Sequence, residues 1–162
     1  ELFTIRGAGP LIKRGSSILV KYGLGEIDHA RLSTLLTSSF GRVLDPGFFD
    51  REIARAYLEE SYRGVALVRE TPLGGYLCKL AVDREAQGEG LGRDLWRLLV
   101  GDYPTLFWRT RHDNPILPFY LQECDGMART EKWHVFWKGL SAQRIPDAIA
   151  TALEQPVDFA PI

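Results

Sequence analysis

Two runs of this chain carry residue types that can do chemistry. The first is Gly75 to Gly92, Gly-Tyr-Leu-Cys-Lys-Leu-Ala-Val-Asp-Arg-Glu-Ala-Gln-Gly-Glu-Gly-Leu-Gly, which passes into Arg93-Asp-Leu-Trp-Arg-Leu-Leu-Val. An apolar strand (Tyr76 to Val82) ends in a short charged turn, a glycine-punctuated loop follows, and an amphipathic helix starts at about Leu91. Glycines let backbone N–H groups approach an anion with no Cβ in the way, and the first helical turn adds unpaired N–H groups and the positive end of its dipole. Gln87, Gly88, Glu89, Gly90, Leu91, Gly92 and Arg93 therefore form a candidate cradle for a diphosphate. The spacing lacks the Lys-Ser/Thr of a nucleoside-triphosphate loop and the third glycine of a dinucleotide fingerprint. A glycine-rich turn of some other α/β domain is the plain alternative.

The second run is Phe107-Trp108-Arg109-Thr110-Arg111-His112-Asp113-Asn114-Pro115, continuing to Phe119-Tyr120. Arg109 and Arg111 lie two apart on an expected strand, so they share a face, and two guanidinium forks on one face suit a dicarboxylate. Lys79, on the neighbouring strand, could reach the same pocket, and three cations there are costly without an anion to meet them. The competing explanation is that both arginines are surface residues paired with Asp113 or Glu123.

The elements that must position these groups follow from punctuation and periodicity. Residues 1 to 25 are glycine-rich, with a strand-like piece at Leu2 to Arg6, and are expected to be a linker or edge segment before a domain of residues 26–162. Asp28 caps a helix from His29 to about Ser38, with Leu32, Leu35, Leu36 and Phe40 on one face. A helix is expected over Pro46 to Leu58. Arg63 to Arg69 and Gly75 to Val82 read as a β-hairpin closed by Thr-Pro-Leu-Gly. Helix Leu91 to Val100 and strand Thr105 to Thr110 complete a βαβ unit, which makes the two strands around that helix parallel. A short helix at Pro118 to Leu121, a last strand at Lys132 to Lys138 and a final helix at Ile145 to Leu153 follow.

The 162 residues suffice for one domain with its own core, and 45% hydrophobic with 25% charged residues is ordinary globular composition. Twenty basic and 21 acidic residues leave a formal charge of −1, so no global field draws nucleic acid or an anionic membrane, and any anion site is local. No 18-residue apolar run or signal peptide is present. Cys78 and Cys124 give no disulfide framework; Cys78 reads as a small buried hydrophobe rather than a nucleophile. His29, His112 and His134 have no metal-ligand spacing, so no metal is expected.

Gln87-x-x-Gly90-x-Gly92 resembles the Gln/Arg-x-x-Gly-x-Gly/Ala signature of the GCN5-related N-acetyltransferases. That resemblance implies a mixed α/β fold, with a central, mostly antiparallel sheet splayed at a parallel pair and flanked by helices. It also implies acetyl-CoA as co-substrate, its pyrophosphate in the glycine loop and its pantetheine arm along Leu80, Ala81 and Val82. Asn114 and Tyr120 match an Asn after the fifth strand and a Phe-Tyr on the next helix, where the hydroxyl protonates the departing thiolate. The step between them is six residues, against seven in the usual pattern, with Pro115 and Pro118 between. An interfacial core tyrosine is the bland reading of Tyr120.

Tyr-Leu-Cys-Lys-Leu-Ala-Val, Leu-Phe-Trp-Arg-Thr-Arg-x-x-Asn-Pro-Ile-x-Pro-Phe-Tyr, the Asp125-Gly126 turn and Trp-His-Val-Phe-Trp-Lys-Gly-Leu are together similar to a narrower family. This is the acetyltransferase domain of vertebrate-type N-acetylglutamate synthase, which includes the bacterial bifunctional synthase/kinase; the similarity runs from Leu2 to Phe159. It implies acetyl transfer to the α-amino group of L-glutamate, in arginine biosynthesis or as the source of the urea-cycle activator. Lys79, Arg109 and Arg111 would hold the two carboxylates, Leu77 and Leu80 would supply backbone groups, and Asn114 would face the reacting centre with Tyr120. A basic position of the family falls at or near Arg42. It also implies an amino-acid-kinase domain in a longer chain, homo-oligomers formed through that domain, and a bacterial cytoplasmic or a mitochondrial matrix location; a start at Glu1 fits such an excised piece. Two rivals stand beside it: an acetyl-CoA-binding regulatory module without turnover, and an acetyltransferase for another acidic amino acid or a peptide N-terminus.

Overall fold

The computed structural model describes residues 12–13 and 16–161. In chain order the elements are β1 (Ile12–Lys13), β2 (Ser16–Lys21), α1 (His29–Phe40), β3 (Arg55–Glu59), β4 (Gly64–Thr71), β5 (Gly74–Val82), α2 (Arg84–Gln87), α3 (Leu91–Asp102), β6 (Leu106–Arg111), α4 (Leu117–Glu123), β7 (Gly126–Arg129), β8 (Trp133–Lys138) and α5 (Ile145–Glu154). Among the described residues the strands form one sheet in the order β1-β2-β3-β4-β5-β6-β8-β7. Neighbours are antiparallel except β5 and β6, which run parallel around the α3 crossover. This is the mixed, mostly antiparallel acetyltransferase sheet that the resemblance implied.

Strand alternation assigns the two faces. Tyr57 points to one side, with Leu77, Trp108 and Phe136, and meets Leu91, Leu95 and Leu99 of α3. Ala56 and Leu58 point to the other, where Leu32, Leu35 and Leu36 of α1 cover them, and α5 covers Tyr76, Phe107 and Val135 with Ala148 and Ala152. Leu32, Leu36, Leu95 and Leu99 are fully buried; each contributes roughly 1.5–3 kcal/mol of transfer free energy. The Asp28 carboxylate accepts from Arg31 N at 3.1 Å and starts α1 where the sequence placed it.

Three expectations are corrected. Pro46 to Leu58 is not a helix: a single tight turn at Phe48–Asp50 is followed by strand β3. Asp45 Oδ2 accepts from Gly47 N at 3.1 Å and diverts the chain into a turn, while Ala56, Tyr57 and Leu58 are buried on both faces, which leaves no polar stripe to mark the strand. The charged turn before the glycine loop is a short helix, α2, capped by Asp83 through Glu85 N. Gly126 is not only a turn residue but starts edge strand β7. Within the segment 1–25, Ser16–Lys21 is a strand bonded to β3 with Ile18 buried, and the strand-like Leu2 to Arg6 lies outside the described residues.

Candidate active site

The parallel pairing of β5 and β6 covers Gly75↔Leu106, Tyr76↔Phe107 and Leu77↔Trp108 and then stops. β5 continues to Val82 on β4 and β6 continues to Arg111 on β8. Two strands that share one end and diverge at the other leave a wedge, and backbone groups of β5 beyond Leu77 have no ladder partner on that side. A cleft of about 670 Å³ fills this wedge.

A β-bulge decides what faces it. Val68 pairs with Leu77 but Leu67 pairs with Lys79, so Cys78 is an extra residue on β5. Leu77 and Leu80, three apart, consequently pack on the α3 face together, and Ala81 packs on the α1 face. Lys79 is re-aimed away from the α3 core: its ammonium is ion-paired with Asp158 and donates to Cys78 O at 3.0 Å. Burial pushes the Cys78 thiol pKa up, which keeps it a thiol and agrees with a structural role.

The glycine loop meets the cleft at the far end of β5. Gly90, at φ 83°, is the N-cap of α3 and supplies no side-chain cap, so the first N–H groups of the helix stay open. A Cβ on Gly90 would meet nothing within 4 Å. That unfilled space at a helix N-terminus fits a phosphate. Gln87 Nε2 donates to Val82 O at 3.1 Å and fixes the loop on the strand. Leu80, Ala81, Val82, Gln87, Gly90, Gly92 and Arg93 all border the cleft, whereas Gly88, Glu89 and Leu91 do not. Glu89 instead pairs with Arg63 at 2.7 Å, and the Leu91 side chain is buried in the α3 core.

At the other wall Asn114 lies where β6 hands over to α4. Its Nδ2 donates to Thr110 Oγ1 at 2.8 Å and its Oδ1 accepts from Ile116 N at 3.1 Å, so its side chain shapes the turn between the prolines. Tyr120 is buried against Trp108, Trp96 and Phe136, with its ring 5.4 Å from that of Trp108. Its hydroxyl has no protein partner among the described residues, and burial pushes its pKa far above the usual phenol range. The buried indole N–H of Trp108 is likewise unpartnered. Both residues border the cleft.

Arg109 and Arg111 share a face, as the strand spacing requires, with guanidinium carbons 3.9 and 4.7 Å from the Trp133 ring centre. Neither pairs with Asp113 or Glu123; Glu123 accepts from Trp96 Nε1 at 2.8 Å. Their forks differ, however. Arg109 donates to Ala152 O at 2.9 Å and Pro156 O at 3.0 Å, closing the C-terminal end of α5, while Arg111 has no hydrogen-bond or ion-pair partner among the described residues. The sequence reading missed Asp158, Phe159 and Trp133, which complete this wall. Arg42, at or near the family's basic position, borders the cleft and donates to Ala160 O at 3.0 Å. No group of three or more His, Cys, Asp or Glu residues among the described residues is placed to hold a metal ion.

Comparisons with known proteins agree with this geometry. The model of the N-acetyltransferase domain of N-acetylglutamate synthase matches residues 19–155. An acetylglutamate kinase of Xanthomonas campestris pv. campestris is 45% identical across 96% of this chain, and the chain spans 38% of that protein. The mitochondrial N-acetylglutamate synthase of Homo sapiens is 37% identical across 87% of this chain and 28% of its own length. Among solved structures, the ribosomal-protein-S18-alanine N-acetyltransferase of Escherichia coli shares the fold, with a TM-score of 0.57 at 14% identity over 79% of this chain and 98% of the other. With its splayed β5–β6 pair and its glycine-capped α3, the chain belongs to the N-acetyltransferase family of N-acetylglutamate synthase.

Proposed function

We propose that this chain transfers the acetyl group of acetyl-CoA to the α-amino group of L-glutamate, releasing CoA and N-acetyl-L-glutamate. The observation that carries the reading is that one cleft joins the open Gly90 cradle to the face bearing Lys79, Arg109 and Arg111. Family membership supports it, because relatives that are named N-acetylglutamate synthase match most of the chain.

In this reading acetyl-CoA supplies an acyl group already activated as a thioester, and the protein needs no covalent intermediate. The α3 N-terminus with Gln87, Gly90, Gly92 and Arg93 holds the diphosphate, and the unladdered backbone of Leu80 to Val82 holds the arm and offers N–H donors to the oxyanion. Arg111, Arg109 and Lys79 orient the dicarboxylate, with Leu77 and Leu80 contributing backbone groups, so most of the rate comes from positioning the amine. Asn114 shapes the turn beside the reacting atoms. The amine proton leaves to water, and Tyr120, which burial keeps protonated, gives its proton to the departing sulfur.

By the same reading residues 26–162, with β2 of the edge segment 1–25 added to their sheet, are the catalytic domain, an amino-acid-kinase domain belongs to the same longer chain, and oligomers form through that domain. The protein would serve arginine biosynthesis in a bacterial cytoplasm or the mitochondrial matrix of a eukaryote. No helix among the described residues is long and apolar enough to cross a membrane.

The test is to incubate the protein with acetyl-CoA and each common amino acid in turn and to read free thiol. Thiol release that depends on glutamate supports the proposal. Release with aspartate or a peptide in preference to glutamate would reassign the acceptor, and release with none of them would favour the regulatory module.

A further inference from the structure

The segment after α5, from Gln155 to Phe159, lines the cleft. Asp45 N donates to Asp158 O at 2.7 Å, Ala160 N donates to Val43 O at 2.8 Å, and Leu44 is bridged to Phe159. These bonds fix the Asp158 side chain, 7% exposed, over the bulge of β5. A carboxylate so buried requires cations. Lys79 is one, and its ammonium also lies 5.3 Å above the Phe159 ring.

Arg51 is the other, and its geometry is incomplete. Arg51 Nε lies 3.1 Å from Asp158 Oδ1 as an ion pair without a hydrogen bond, and both atoms are buried with no hydrogen-bond partner among the described residues. The rest of the guanidinium is anchored, with Nη2 3.3 Å from Asp45 Oδ2 and 3.2 Å from Val157 O. Asp158 thus bonds Lys79 through Oδ2 while Oδ1 and a ready N–H donor face each other unbonded. A small rotation would convert the loose Arg51 contact into a full charge-assisted bond.

We propose that Asp158 is a specificity-determining residue, a resident carboxylate that occupies Lys79 until an acceptor carboxylate displaces it onto Arg51. This rests on the reading of the cleft as a glutamate site. The side-chain carboxylate of glutamate, shared between Lys79 and the Arg111 fork on the same cleft wall, replaces like with like, and Asp158 keeps a cation. The neutral amide of glutamine cannot replace the charge, so the Lys79–Asp158 pair stays shut against it.

The experiment is calorimetric titration of L-glutamate into the protein saturated with CoA, for wild type, Asp158→Asn and Arg51→Gln. Asp158→Asn keeps the shape and removes the competing charge, so the glutamate Kd should fall by about fivefold; Arg51→Gln removes the fallback, so it should rise by about fivefold. Opposite signs separate this from damage to the fold, which weakens binding in both variants. A Kd that rises or is unchanged in Asp158→Asn, or shifts of one sign in both variants, overturns the proposal. Thiol release by wild type reports on the proposed reaction independently: binding without turnover sinks the reaction and leaves the two signs to decide on Asp158. No binding by wild type overturns both.

Discussion

His112 Nδ1 lies 2.7 Å from His134 Nδ1, and His112 Nε2 lies 2.9 Å from Glu131 O. A carbonyl only accepts, so Nε2 of His112 carries a hydrogen; in the neutral ring Nδ1 then accepts, and His134 donates to it. This pair docks the loop that carries Asn114 onto the β7–β8 hairpin.

That relationship fixes a pH dependence. Burial, then the neighbouring His112, then Arg129 push the pKa of His134 below its ordinary 6.5. Below that value the unfolded chain binds a proton that the folded chain resists, so stability is complete above it and declines as the pH falls toward the lowered folded value. The urea midpoint should therefore drop between about pH 7.5 and about pH 5.5, and by less in His134→Gln. Equal drops in the two proteins would remove His134 as the cause.

A second prediction concerns the cradle. Because Gly90 sits at positive φ, Gly90→Val adds backbone strain to any loss of binding, whereas asparagine tolerates that conformation. Both substitutions place atoms in the open space above the α3 N-terminus. Gly90→Asn and Gly90→Val should each raise the acetyl-CoA dissociation constant by at least about tenfold, roughly 1.4 kcal/mol, in folded protein. Unchanged affinity in Gly90→Asn would show that the pyrophosphate lies elsewhere, and the fold assignment would survive.

What could be read in advance follows from how local each signal is. The β4–β5 hairpin, the βαβ unit around α3 and the glycine loop are written in contiguous residues, so turn chemistry and periodicity reached them. The wall built by Asp158 is not, since 79 positions separate it from Lys79 and no local pattern records that pairing. The bulge at Cys78 is equally silent: one extra residue inside an apolar run changes no composition, yet it re-aims Lys79. Residues 46–58 misled because the charged Asp50-Arg51-Glu52 beside buried apolar positions imitates a helical stripe, although Arg51 turns inward to Asp45 and Asp158. For Arg109 the strand and the shared face were legible, but not the α5 carbonyls that hold its fork.

Tyr120 gives a third prediction. Its hydroxyl bonds no described residue and its ring is held by Trp96, Trp108 and Phe136, so Tyr120→Phe removes one oxygen without disturbing the packing. The thermal midpoint should be nearly unchanged, both substrates should still bind, and kcat should fall on the order of 10²-fold if this hydroxyl is the acid. A change confined to KM would make Tyr120 a binding residue, and a fall of only a few-fold would leave the proton to water. Since burial raises its pKa, ionisation of Tyr120 should not set the alkaline limit of the wild-type pH profile at ordinary assay pH.

The last prediction separates the two arginines. Both forks border the cleft over Trp133, but Arg109 is already bonded to Ala152 O and Pro156 O, whereas among the described residues Arg111 has only stacking to hold it. An unengaged fork on the wall of a cleft is the better candidate to receive the side-chain carboxylate of glutamate. Losing a charge-assisted pair there removes about 2–5 kcal/mol of transition-state binding, and lysine cannot restore a bidentate contact. Arg111→Lys should therefore cut kcat/KM for glutamate steeply, narrow the ratio of glutamate to glutamine, and leave both the thermal midpoint and acetyl-CoA affinity almost unchanged. Arg109→Lys should lower kcat/KM as well, but with a lower thermal midpoint, because it releases the end of α5 and the strap behind it. The measurement is the glutamate-to-glutamine ratio of kcat/KM beside a melting curve for each protein. Were the ratio identical in wild type and both variants, neither arginine would be reading the side-chain carboxylate. Arg109 would then be a brace for α5, Arg111 a stacking partner of Trp133, and Lys79 the remaining cation to carry the acceptor's second charge.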